Sequence, residues 1–69
     1  MTEYYPGDVV IRTKVAIGMT GRIIKLVNRE QRAYDVEVLY SPNSSEMKER
    51  QVWQAIYFEL LEMEPDWEV

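Results

Sequence analysis

The stretch QVWQAIYFELLEME, residues 51–64, folds in one of two ways, and the choice decides the architecture of the chain. Read as a helix, it places Trp53, Ile56, Tyr57, Leu60 and Leu61 at helical spacing, and Asn43 with Glu46 can cap an extended start. Read as strand, turn and strand, RQVWQA pairs with the strand before it, IYFE makes one tight 3₁₀ turn, and LLEME closes the sheet. Helix propensity favours the first reading. Phe58 favours the second, because it lies off the helical stripe and would face water. The edges of a three-stranded antiparallel sheet favour it too, since short final strands manage them by closing a barrel. Over residues 46–63 the residues leave both readings open, with the pattern leaning to strands.

Upstream the strands are clearer. YYPGD is a turn, with proline presetting φ and glycine tolerating positive φ after it. In VVIRTKV, Val9, Ile11, Thr13 and Val15 share one face and Val10, Arg12 and Lys14 the other, the period of a half-buried strand. RIIKLVN resumes a strand after a break, but Ile23 and Leu26 are three apart, so a bulge near Ile24–Lys25 is needed to put both in the core. NREQR is a polar hairpin tip. AYDVEVLY sets Tyr34, Val36, Val38 and Tyr40 opposite Asp35 and Glu37. SPNSSEMKER is a turn-rich loop.

The break AIGMTG holds Gly18 and Gly21. A phosphate loop needs G-x-x-x-x-G-K-[ST] before a helix, and a dinucleotide fingerprint needs G-x-G-x-x-G. Neither spacing occurs, and a strand follows Gly21. The pair reads instead as a corner, whose residues must be free to take positive φ and to let neighbouring backbones approach, so Gly21 is expected to need that backbone freedom.

In succession, PGDVVIR, GMTGRIIKL, YDVEVLY, RQVWQA and FELLEME resemble the elements of small SH3-like barrels of the KOW type, over roughly residues 6–64. The layout is also similar to the SH3-fold peripheral subunit of photosystem I and to several small bacterial and phage proteins. The resemblance implies an all-β chain: a small five-stranded antiparallel SH3-like barrel with a short 3₁₀ turn before the last strand. The length makes one domain over 1–69, and the composition ends it in an acidic tail at 65–69, unlike an RNA-binding member of that family. KOW modules usually place bases beside the glycine corner, whereas AIGMTGR has Arg22 alone.

Composition narrows the function. With 69 residues the chain builds one core. It has no cysteine for a disulfide or thiolate site and no histidine, the commonest general base and metal ligand. No apolar run approaches the ~20 residues of a membrane span, and MTEYYPGD lacks the pattern of a signal peptide. A soluble, cytoplasmic chain without a membrane partner is expected. The net charge is −4 but unevenly spread. Residues 51–69 carry five acids (Glu59, Glu62, Glu64, Asp66, Glu68) and no base. From Val9 to Arg32 there are six bases (Arg12, Lys14, Arg22, Lys25, Arg29, Arg32) and one acid, Glu30.

Candidate chemistry is sparse. Asp35 with Glu37, or Glu59 with Glu62, lack the desolvation that would separate two carboxylate pKa values. Ser44 and Ser45 have no histidine to activate them. Glu64, Asp66 and Glu68 fall short of a calcium loop. The expectation is therefore a module with no enzymatic activity, no cofactor and no metal. It binds another protein or docks in an assembly, through loops or an open strand edge. Candidate contacts are the first loop (Lys14 to Thr20), the long loop (Ser41 to Glu49) and Trp67. Trp67, in the acidic tail, either caps the barrel end or serves as an exposed anchor. The alternative is a KOW-like module that sets Arg12, Lys14, Arg22, Lys25, Arg29 and Arg32 against nucleic-acid phosphates, although the acidic balance opposes it.

Overall fold

The computed structural model describes residues 3–62. Five strands succeed one another: β1 (Val9–Arg12), β2 (Thr20–Asn28), β3 (Ala33–Tyr40), β4 (Arg50–Gln54) and β5 (Phe58–Glu62). Single 3₁₀ turns lie at Ser44–Glu46 and Ala55–Tyr57. The strands form one sheet in the order β4-β3-β2-β1-β5, and every neighbouring pair is antiparallel. The chain is all-β, and no helix among the described residues is long and apolar enough to cross a membrane.

Residues 50–62 are thus strand, turn and strand, and Trp53 with Phe58 gives the reason. Each is 2% exposed. A helix turns about 100° per residue, so it would hold two side chains five apart about 140° from each other and bury only one. The turn at Ala55–Tyr57 lets both point inward, where burial of such a side chain contributes about 1.5–3 kcal/mol. Ile56, on the supposed helical stripe, is 65% exposed.

The sheet curls so that its two ends face each other across the core. Trp53 of β4 and Phe58 of β5 have ring centroids 6.0 Å apart, and Tyr34 and Tyr4 pack on Phe58 at 6.0 and 4.9 Å. Val10, Met19, Ile23, Val36 and Val38 complete the core, with Leu26 against it. The expected barrel is not closed by hydrogen bonds, however. β4 and β5 end the strand order, and no ladder joins them among the described residues.

Along the strands, the expected bulge in β2 is present. Pairing runs Ile23 with Val36, then Lys25 with Asp35 and Leu26 with Tyr34, so Ile24 is the extra residue and both Ile23 and Leu26 reach the core side. In β3 Tyr34, Val36 and Val38 are buried, but Tyr40 at the strand end is 54% exposed. β1 is shorter than its alternating pattern, and it buries Val10 rather than the more apolar set of Val9 and Ile11.

The two corner glycines divide the work. Gly18 has φ +95°, the left-handed region that glycine enters freely. Gly21 has no positive φ. A Cβ there would overlap Val36 Cγ1 and lie 3.1 Å from both the Glu37 carbonyl oxygen and Trp53 Cη2. It is glycine because β3 and the indole press against its backbone.

Candidate functional site

Between β1 and β2 runs TKVAIGM, Thr13 to Met19, a segment too apolar for an ordinary surface loop. Its neck is tied by main-chain bonds: Arg12 N donates to Met19 O (2.8 Å) and Gly18 N to Arg12 O (3.0 Å). A second clasp, Thr13 N to Tyr57 O at 2.9 Å, binds the loop to the 3₁₀ turn before β5. At the tip, Val15 and Ala16 both take left-handed backbone, with φ 41° and 60°. That conformation is unfavourable for a β-branched side chain, and such strain costs on the order of 1–3 kcal/mol. Burial does not offset it, because Val15 is 67% and Ile17 69% exposed.

Arg12 is the hub beneath this tip. Its guanidinium carbon lies 5.0 Å from the Trp53 ring centroid and 5.4 Å from that of Tyr57. Its Nε donates to the Val15 carbonyl at 2.7 Å. Cation–π contacts of this kind contribute about 0.5–2 kcal/mol. Partial burial pulls the Arg12 pKa below the usual guanidinium value, against the pull of Tyr57, yet leaves it a cation. Among the described residues no carboxylate forms an ion pair with it. The site is thus a half-buried positive charge on two aromatic faces, under a loop that displays Val15 and Ile17, and the turn clasped to that loop carries the exposed Ile56.

The six bases do not form one patch. Arg12 and Lys14 lie at one end of β2, whereas Arg29 and Arg32 lie at the hairpin beyond its other end, about 25 Å away along the strand. Arg22 and Lys25 sit between them, directly across from Glu37 and Asp35. Arg29 pairs with Glu3 at 3.5 Å, both exposed, a contact that contributes little. Arg32 has structural work at the hairpin: its φ is 53°, its N–H donates to Arg29 O, and its carbonyl accepts from Ala55 N (2.8 Å). The acid beside Lys25 is also engaged. Arg50 Nη2 donates to Asp35 Oδ2 at 2.6 Å, and this hydrogen bond holds the Asp35 carboxyl below its ordinary pKa.

The long loop is braced from within. Buried Ser41 donates from Oγ to Glu46 Oε1 (2.9 Å) and accepts from Asn43 N (3.0 Å), while Lys48 N returns to Val38 O (2.8 Å). Met47 is its one large apolar side chain at the surface. Trp67 and the tail 65–69, with Glu64, lie outside the described residues. Among the described residues no three Asp or Glu side chains gather where they could hold a metal ion.

The sequence names the first loop and Arg12 as candidate contacts, but it does not reveal that Arg12 lies over Trp53 and Tyr57. Sequence reasoning missed Tyr57, whose signal was its place in the turn between the two closing strands. Compared with protein-family models, curated proteins and solved structures, the chain matches none.

Proposed function

We propose that this chain is a noncatalytic protein-binding module of SH3-like design. The strand order β4-β3-β2-β1-β5 and the 3₁₀ turn before β5 support the SH3-like reading. The observation that carries the binding reading is Val15, an apolar β-branched residue held at φ 41° and turned to solvent. The fold gains the Arg12 Nε bond to the Val15 carbonyl from this backbone but nothing from the Val15 side chain. Strain that displays an apolar side chain to solvent is the kind retained for a ligand. The partner is a segment with apolar side chains to cover Val15, Ile17 and Ile56 and a carboxylate to approach Arg12. Apolar anchors would supply affinity, and the charge orientation.

The nucleic-acid alternative draws less support. The bases lie far apart on the sheet, and Arg22 and Lys25 face acids across the ladder. Nonspecific binding depends on summed positive charge, which here is −4 net.

The test is affinity capture from a native lysate by the wild type and by an Ile17→Ser variant, each with and without nuclease. The expected result is nuclease-resistant capture of a discrete protein that Ile17→Ser loses while its melting temperature is unchanged. Capture abolished by nuclease, or untouched by Ile17→Ser, would replace this reading.

A further inference from the structure

The outer edge of β4 has a geometry of its own. Val38 N donates to Glu49 O and Ala55 N to Arg32 O, so residues 49 and 55 turn their main chain toward β3. The β3–β4 ladder is unbroken between them, and alternation gives the inward bonds to Gln51 and Trp53. Arg50, Val52 and Gln54 therefore point their N–H and C=O groups away from the sheet. No strand pairs with that side among the described residues. The edge has no proline and no bulge, and its one charged side chain, Arg50, is drawn to Asp35 of its own chain. Its central side chain, Val52, is 63% exposed.

We propose that β4 is the seam of a two-fold dimer, pairing antiparallel with β4 of a second copy about Val52. In that register Val52 meets Val52, and Arg50 meets Gln54 on both sides of the axis. These are the residues whose main-chain groups are free, so each pair exchanges two hydrogen bonds. The charges also agree. The only charged residue of the strand falls opposite a neutral amide, and no like charges meet directly. Arg50 directs Nε and Nη2 to Asp35 of its own chain. Among the described residues its Nη1 has no hydrogen-bond acceptor, and it suits the Gln54 side-chain carbonyl of the second copy. The two Val52 side chains cover each other.

The other edge lacks this fit. On β5 the Phe58 N–H is already bonded to Ala55 O. Its ladder with β1 shifts register between Leu60 and Glu62. It carries two acids and no base, so self-pairing would crowd carboxylates.

A five-residue seam falls in the small, transient class of interfaces, with a Kd on the order of 0.1 mM. Sedimentation equilibrium of the full chain up to ~1 mM tests it. The wild type should shift from monomer to dimer with concentration. Val52→Pro removes an N–H that β3 does not use, so the variant should keep its far-ultraviolet circular dichroism and stay monomeric. Val52→Lys and Val52→Glu should each lose association at least ~tenfold when alone, and an equimolar mixture should regain it, which a merely structural role for Val52 would not produce. A wild type monomeric to ~1 mM overturns the proposal, whatever else the edge binds. So does self-association that survives Val52→Lys, or that is lost instead with Leu60→Lys on β5.

Discussion

One methyl group at position 21 should unsettle this fold more than the same methyl at position 18. In Gly21→Ala the new Cβ overlaps Val36 Cγ1 and sits 3.1 Å from the Glu37 carbonyl oxygen and from Trp53 Cη2. Val36 is fully buried and stiff at χ1, so it has little room to yield. The other two neighbours are a ladder carbonyl and an indole wedged against Phe58. Overpacking of this kind costs about 1–3 kcal/mol, and the rigid surroundings put this site in the upper half. Loss of unfolded-state freedom returns about 0.4–1 kcal/mol. The net is ~1–2.5 kcal/mol, or a drop of roughly 5–20 °C in melting temperature for a domain this size. Thermal melts followed by circular dichroism measure it directly. Gly18→Ala meets no atom within 4 Å and bears only its φ of +95°, a cost of about 1 kcal/mol. Combining Gly21→Ala with Val36→Ala removes the overlap, so the double variant should be at least ~1 kcal/mol more stable than the two single losses predict. A Gly21→Ala melt within ~2 °C of wild type, or strict additivity with Val36→Ala, would refute the packing argument.

Three further outcomes follow from the site and its surroundings. Val15→Asn, a residue that tolerates left-handed backbone, should raise the melting temperature by about 4–8 °C, for ~1 kcal/mol of strain removed, while capture of the partner falls. Arg12→Lys keeps the charge but loses the planar stack on Trp53 and Tyr57 and the Nε bond to Val15. It should destabilise by about 1 kcal/mol and alter the near-ultraviolet circular dichroism of the aromatic cluster. The Asp35 pKa is lower folded than unfolded, so its pairing with Arg50 stabilises fully above the unfolded value of ~3.9 and is lost as pH falls through the folded one. Asp35→Asn should therefore lower the melting temperature at pH 7 and flatten its decline in acid, and parallel melts from pH 7 to pH 2 show the difference.

Alternation alone suffices for the middle of this chain. β3 carries its buried Tyr34, Val36 and Val38 at a period of two, and the three-residue gap from Ile23 to Leu26 announces the bulge in β2, because both signals are local. The turns at Pro6–Gly7 and at Asn28–Arg32 are legible for the same reason. What needed the tertiary structure was every choice between two locally equal options. Residues 51–62 satisfy helical spacing as well as strand spacing, and only the need to bury both Trp53 and Phe58 against Tyr34 and Tyr4 selects the strands. β1 could bury either face, and the crowding of Gly21 beneath β3 accompanies the choice of Val10, its partner in the ladder. Arg12 reads in the sequence as one more surface base. Its position over two rings depends on residues some forty places away, brought close by the curl of the sheet, and no window along the chain contains that contact.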